Sequence, residues 1–452
     1  MDITALKQKV LKAHDSQVQL AQNLAKIGYN SPRGKLLRLK SYYLEGFTIL
    51  KAWRDFLYIR KENIGDTFFA VDHAIMHADH AQVKKLMQTE PQVRSNDLGI
   101  IRIIDPSYML NHPLSLGTNG KEHKGIRAIF SQALPDPFDH AEALGQYVNR
   151  FLSESTKQDQ LHIGDDLPRF MVKILHHLVF DLSLSEAEVT ASRGYIKGLP
   201  LASLPKFITK TLLASKTGPI TKHRKQLTQR YQTSPKWAVY EDIGKQYGLN
   251  ADQIANGLFD MIHIAGTAGT SALMGSVIGV LCLKDTLRAD VLQEINTLWS
   301  DTEILTGDCL RQATLLNTVI LETARLYPPV RFVSQLATEA GEVEVGAQKC
   351  PFQKGTRLLG SIFTANRDAN RYDNPDSFSV DRDFSDLLSW NGDGHERTCP
   401  GKSLSIELIK VFCMYLFTQY QWKQFTDVKW DFEKVTAVTP NDLVLQGFTA
   451  KT

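Results

Sequence analysis

The stretch Met261–Leu281, MIHIAGTAGTSALMGSVIGVL, contains no Asp, Glu, Lys or Arg. A helix of that length either spans a bilayer or runs through the middle of a large core. Its centre, AGTAGTSA, is small and polar rather than rich in Leu and Ile, and His263 sits within it. No aromatic belt or Lys/Arg asymmetry brackets it, so it predicts a buried core helix. Such a helix needs a large domain around it. A chain of 452 residues that is 43% hydrophobic and 22% charged can supply one, with room for a sizeable pocket. Asn250 followed by Gln253 predicts a capping-box start for this helix.

The rest of the composition removes several function classes. A net charge of +3 is close to neutral for this length and carries no basic stripe, which excludes a nucleic-acid binder. The five cysteines (Cys282, Cys309, Cys350, Cys399 and Cys413) are odd in number, widely spaced and free of CxxC. That pattern is neither a disulfide framework nor a zinc site, and implies reduced thiols in the cytoplasm. The first residues, MDITALKQKVLKAHDSQVQL, alternate charge with apolar side chains and read as neither signal peptide nor transmembrane anchor. Residues 198–230 mix apolar and basic side chains. They predict a solvated helical lid, with peripheral membrane contact as the sharper alternative.

Periodicity predicts a mainly α chain with a small β region, organised as a single domain over 1–452. Residues 1–65 form an extra N-terminal helical segment with an exposed basic middle at Arg33, Lys35, Arg38 and Lys40. Short strands and a helix are expected over 66–88, a loop over 97–119, and helices over 120–131, 138–155, 166–182, 185–197 and 309–326. Strands follow over 340–360, with turns at Gly341, Gly346 and Gly355. A last helix starts at or just after Cys399, with Leu404, Leu408, Val411 and Tyr415 on its buried face.

Three features carry chemistry. Cys399 lies in WNGDGHERTCPGKSLSIELIK, where glycines flank the thiol and Pro400 follows it. A helix N-terminus there aims backbone N–H groups at the sulfur and favours the thiolate. Glu322 and Arg325 are an i,i+3 pair on a helix that ends at Pro328–Pro329, and the later segment Asn374–Arg382 can bring a second guanidinium to the same carboxylate. The run Ala265–Ser271 is small enough for a ligand to approach the helix backbone.

Taken together, Glu322-x-x-Arg325, the Pro-rich turn, Pro375-x-x-Phe378 with Arg382 after it, and Gly394-x-x-x-x-Cys399-Pro-Gly resemble the cytochrome P450 superfamily in order and spacing. The resemblance runs from about residue 66 and is strongest over 309–417. It implies the triangular helical prism of that family and a haem b cofactor. Cys399 would be the axial metal ligand, and Glu322, Arg325 and Arg382 a structural triad. His123, Arg127 and Arg397, joined by Arg331, would hold the haem propionates. Thr267, Thr270 and Ser271 would be the catalytic hydroxyls. Ile100, Ile101, Tyr108, Ala265, Gly266, Gly269, Phe332 and Val333 would face a hydrophobic small-molecule substrate. Any redox partner would be a separate protein, since no flavin or iron–sulfur domain is fused.

The chain departs from the family pattern twice. The loop before Cys399 is longer than usual, with Trp390, Gly392 and Gly394 nine, seven and five residues upstream. Its opening, Leu388-Ser-Trp-Asn-Gly392, is similar to the allene oxide synthase and hydroperoxide lyase branch, and the fatty-acid peroxygenase branch also has a lengthened loop. The second departure is the missing acid of the acid–Thr pair, whose place falls on Ala268–Gly269 or Gly269–Thr270. No Asp or Glu occurs between Asp260 and Asp285, which leaves only hydroxyls and His263 as proton sources. Reductase-fed monooxygenation, use or rearrangement of a peroxide or hydroperoxide, and radical coupling of aromatic substrates all stay open. A haem-binding sensor is the non-enzymatic alternative.

Overall fold

The computed structural model describes residues 2–29, 31–38, 52–70, 73–88, 117–198, 211, 214–299, 304–432 and 437–451. The loop over 97–116, including Ile100, Ile101 and Tyr108, lies outside them. Helices dominate the described chain: α1 Ile3–Ile27, α2 Trp53–Asn63, α3 His80–Gln88, α4 Gly120–Ala133, α5 Ala141–Thr156, α6 Ile163–Phe180, α7 Glu186–Gly198, α8 Ala214–Tyr231 and α9 Trp237–Gln246. They continue as α10 Ala251–Asp260, a π-helical segment Met261–Gly269, α11 Thr270–Leu283, α12 Asp285–Leu298, α13 Gly307–Gln312, α14 Thr314–Leu326, α15 Ile362–Ala365 and α16 Lys402–Gln419.

The central helix starts as its sequence predicts. The Asn250 side chain accepts from the Gln253 N–H at 2.9 Å, and the Gln253 side chain accepts from the Asn250 N–H at 3.0 Å. Ala251–Leu283 is long and apolar enough to cross a membrane, yet 72% of its most apolar window is buried inside the protein. The reason is visible in α11, whose small and branched side chains pack against α6, α14 and α16 on all sides. A helix that is apolar all round belongs in the middle of a core.

Strands are a minority and lie at the margins. β1 Thr67–Phe69, β2 Ile75–His77, β7 Arg357–Ser361 and β4 Phe332–Leu336 form one sheet in that order, with β2 and β7 parallel and the other pairs antiparallel. β5 Gly341–Val345 and β6 Gln348–Phe352 are a hairpin turned at Gly346, which has φ 60°. Gly341 is the first residue of β5, paired with Phe352. β3 Gln160–His162, β10 Val444–Gln446 and β9 Gln424–Phe425 form a third small sheet. The N-terminal helices cover the first sheet: Leu6 and Val10 of α1 share one apolar cluster with Trp53, Phe56, Phe68, Met76 and Leu359.

Three expectations need correction. Arg38 is buried, with its guanidinium 3.5 Å from the centre of the Tyr29 ring and Nη1 donating to the Tyr29 carbonyl. Cation–π contact outweighs hydration there. The helix expected over 309–326 is two helices broken at Ala313, because the Glu294 carboxylate of α12 accepts the Leu315 and Leu316 N–H groups at 2.7 and 3.0 Å and caps a fresh start. The predicted solvated lid is not solvated throughout, since His223 and Arg224 of α8 are buried against α7 and α10.

Candidate functional site

The loop leading to Cys399 is built from unusual backbone. Trp390, Asn391 and Gly392 follow one another with φ of 57°, 67° and 66°. Gly392 combines this with ψ −173°, a region open to glycine alone. Side chains hold the reversal in place. Ser389 donates to the Ala324 carbonyl of α14 at 2.8 Å, the Trp390 indole N–H donates to Ser405 Oγ at 3.0 Å, and Asn391 donates to the Arg397 carbonyl at 2.8 Å. The Cys399 N–H closes the loop on the Trp390 carbonyl at 2.9 Å. The stretch upstream of the thiol is therefore a left-handed turn pinned to α14 and α16.

Helix α16 begins at Lys402, three residues after the thiol. Burial pushes the Cys399 thiol up, while the Gly401 N–H, Arg127 and Lys402 pull it down. The Arg127 guanidinium lies below its ordinary value because it is buried, and Cys399 and Glu396 act against that. One turn before Arg127 on α4, His123 Nδ1 is 3.5 Å from Arg397 Nη1. Arg397 also donates to the Thr118 carbonyl and to Asn119 Oδ1, each at 3.1 Å. The start of α4 and the cysteine loop thus meet, and bring His123, Arg127 and Arg397 to the side of the sulfur. The sequence did not mark Trp390, Lys402, Thr118 or Asn119 as site-forming.

Behind the loop, Glu322, Arg325 and Arg382 converge. Glu322 and Arg325 are fully buried and doubly bonded, Nε to Oε2 at 2.7 Å and Nη2 to Oε1 at 2.8 Å. Arg382 Nε and the Ser379 N–H reach the same Oε1 at 3.0 and 2.9 Å. The remaining guanidinium donors go to backbone: Arg325 to Asn366, Pro375 and Ser377 carbonyls, Arg382 to Asp373, Asn374 and Ser377 carbonyls. The one carboxylate is shared by two guanidiniums, and the remaining guanidinium donors end on backbone oxygens.

The central helix supplies a wall. Ala265 is exposed although it sits mid-helix in the core, so interior space adjoins it. A methyl at Gly269 would meet nothing within 4 Å, whereas one at Gly266 would stand 2.6 Å from Leu175 Cδ1. The open side is therefore Ala265 and Gly269, and Gly266 is a packing glycine against α6. Thr267, Thr270 and Ser271 are buried. The Thr267 hydroxyl has no partner among the described residues, and Ser271 Oγ lies 3.5 Å from the Ala268 carbonyl. His263 is not available as a proton source. It stacks on Phe259 at 3.8 Å, with Nδ1 3.0 Å from the Phe259 carbonyl and Nε2 3.1 Å from Ser192 Oγ, and burial holds it well below the ordinary histidine range.

The remaining expected residues divide. Phe332 and Val333 are adjacent in β4 and face opposite sides of the sheet. Phe332 meets Trp53 edge-on at 6.1 Å, and Val333 packs with Val83, Leu86 and Met87. Arg331 is buried at the start of β4, donating to the Phe432 carbonyl at 2.9 Å and covering the Phe363 ring.

The fit to a haem rests on this donor set. A buried thiol backed by a backbone N–H can bind a metal as thiolate, and three basic side chains beside it suit the carboxylates of a propionate-bearing macrocycle. The open wall at Ala265 and Gly269 leaves room for a flat group.

Comparison with known proteins gives a family model, Cytochrome P450, matching residues 206–445. Among curated proteins, the chain is 26% identical over 189 residues to cytochrome P450 81D1 of Arabidopsis thaliana, covering 40% of this chain and 36% of that one. It is 22% identical over 187 residues to a ferruginol synthase of Salvia pomifera, covering 40% of each. These matches span about two fifths of the relatives' length. Among solved structures, retinoic acid-bound cyanobacterial CYP120A1 superposes with a TM-score of 0.72 at 19% identity, over 90% of this chain and 96% of that one. The fold is shared even where the sequences have diverged.

Proposed function

Since this chain belongs to the cytochrome P450 family, we propose that it is an enzyme, a haem-thiolate oxidoreductase that oxidises or rearranges a hydrophobic small molecule. The family's cofactor is haem b, and thiolate ligation favours O–O cleavage at its iron. The observation that carries the reading is the setting of Cys399, a thiol raised by burial but placed beside Arg127, with the Gly401 N–H, Arg127 and Lys402 acting against that rise.

In this reading Cys399 is the metal ligand. His123, Arg127 and Arg397 bind the propionates, with Arg331 as a fourth candidate. Glu322, Arg325 and Arg382 hold the 373–379 stretch that leads toward the loop presenting the sulfur. Ala265 and Gly269 border the substrate space, and Ile100, Ile101 and Tyr108 remain candidates from the sequence alone. Thr267, Thr270 and Ser271 are the hydroxyls nearest that wall in sequence. A water on the unpartnered Thr267 hydroxyl would satisfy it.

The oxidant we favour is peroxide or an organic hydroperoxide. Met261–Leu283 supplies no carboxylate, and Asp260, the nearest one, is committed to Arg224 at 2.9 Å. An already reduced O–O bond removes the need for electron delivery and most of the need for that acid. The test runs a panel of hydrophobic substrates in two arms, one with peroxide alone and one with a reductase system plus catalase. Product in the peroxide arm is the expected result. Product only in the second arm restores reductase-fed monooxygenation. Dimeric aromatic product carrying no added oxygen identifies radical coupling. Spectral shifts without product in either arm identify a haem-binding sensor.

A further inference from the structure

A second polar assembly lies on the opposite side of the central helix from the open wall. Three residues of that helix, Asn256, Asp260 and His263, fall at i, i+4 and i+7, so they form one stripe. Each meets the pair of helices packed above. Arg224 of α8 donates to Asn256 Oδ1 and Asp260 Oδ1 at 2.9 Å each, and to the Tyr195 hydroxyl of α7 at 2.6 Å. Ser192, one turn before Tyr195, lies 3.1 Å from His263 Nε2 and 2.9 Å from His223 Nε2 of α8. His176 of α6 meets His263 edge-on at 5.2 Å between ring centres, and its Nε2 lies 2.8 Å from the Tyr231 hydroxyl of α8. Arg224 and Asp260 are 0% and 2% exposed, so their pairing is dry.

The position of this seam matters. Asp260 and His263 bracket the start of the π-helical segment Met261–Gly269, whose other face carries Ala265 and Gly269. A π-helical segment is a local departure from α-helical hydrogen bonding and survives only where its surroundings hold it. α7 and α8 cannot slide over this segment without pulling apart the buried Asp260–Arg224 ion pair. We propose that Asp260 and Arg224, with His263, Ser192 and His223 beside them, are positioning residues that lock α7 and α8 to the π segment and thereby set the shape of the substrate wall on its far side. The link to substrate rests on the function proposed above, whereas the mechanical coupling does not.

The coupling is tested on the haem-loaded protein by amide hydrogen exchange in Asp260→Asn, which removes the charge and keeps the shape. Exchange is expected to rise about tenfold or more, and together, in 186–198, 214–231 and 261–269, while 314–326 stays unchanged. A rise confined to residues around 260, or one spread evenly over the chain, overturns the coupling. Optical titration then compares imidazole with 4-phenylimidazole as probes. The larger probe, which must extend toward the wall, is expected to lose about tenfold in affinity while imidazole changes less than about twofold. Equal loss for both, or none for either, overturns the positioning role. If Asp260→Asn does not fold, Ser192→Ala undergoes the same two measurements, with the same pattern expected at smaller amplitude and the same results overturning it. A protein without a thiolate spectrum defeats the haem reading, and the exchange pattern still decides the coupling.

Discussion

The two buried charge clusters differ in what they fasten. Glu322 is surrounded by two guanidiniums and a backbone N–H, and those guanidiniums spend their other donors on carbonyls of 366 and 373–377. That stretch is irregular, with Asn374 at φ 45°, and irregular backbone buried without partners is costly. Asp260 is bonded to the Arg224 guanidinium, which also donates to the neutral groups of Asn256 and Tyr195. The elements it joins are helices whose backbones already satisfy themselves. The first cluster therefore makes a loop possible, and the second fixes how finished elements sit against one another. Loss of the first should cost the fold, and loss of the second should cost the geometry of the wall.

The largest expected effect is at the first cluster. Glu322→Ala leaves the buried Arg325 charge uncompensated, at a cost of about 3–5 kcal/mol, while Arg325→Ala leaves Glu322 with Arg382 alone and strips the Asn366 and Pro375 carbonyls of their donor. Both variants should give little folded, haem-loaded protein, measured as soluble yield and haem content. Normal yield from both would erase the distinction between the clusters.

Acid should separate the two regions next. Histidines surround the second cluster and are absent from the residues bonded to the first. Burial pushes His176 down to about 4, and burial also lowers His223 and His263. Such groups stay neutral in the folded chain while the unfolded chain takes up protons near pH 6.5. Stability is then full above that pH and falls as pH drops toward 4, by up to about 3 kcal/mol for His176. In His176→Gln the decline between pH 6.5 and 4 should be shallower in urea unfolding. An unchanged decline assigns it to other groups, among them His14 and His73, which burial pushes to about 3.

A smaller effect is expected in the cysteine loop. Gly392→Ala forces a side chain into glycine-only backbone and should cost about 1–3 kcal/mol. Thermal unfolding measures it, and a neutral result would mean that the left-handed turn is not required. Ser192→Ala should be the mildest, at about 1 kcal/mol for lost hydrogen bonds, with haem content unchanged. A loss as large as that of Glu322→Ala would mean that the helix seam is also needed for folding.

Local spacing accounts for most of what the sequence disclosed. The Asn250–Gln253 cap, the i,i+3 pair of Glu322 and Arg325, and the helix after Cys399 are relations within a few residues. The family pattern extended that reading to His123 and Arg397, which lie 274 positions apart yet adjoin in the fold. The Arg224–Asp260 pair spans 36 positions, and a basic residue in a basic segment gives no sign of being buried. His263 was equally ambiguous, because an apolar stretch does not say which way its one imidazole turns. The π segment left no trace in periodicity. The left-handed turn puts the bulky Trp390 in a region it ordinarily avoids, next to Asn391, which tolerates it, and the turn is held by contacts to α14 and α16 that only the folded chain makes.

The central claim is that Cys399 ligates haem iron as a thiolate. The direct measurement is the optical spectrum of the purified protein, ferric and then reduced under carbon monoxide, for the parent and for Cys399→Ala beside Cys282→Ala, Cys309→Ala, Cys350→Ala and Cys413→Ala. The parent and the other four variants should show the thiolate-type carbon monoxide band, and Cys399→Ala should lack it. A parent without that band, or a Cys399→Ala protein that keeps it, would contradict the account.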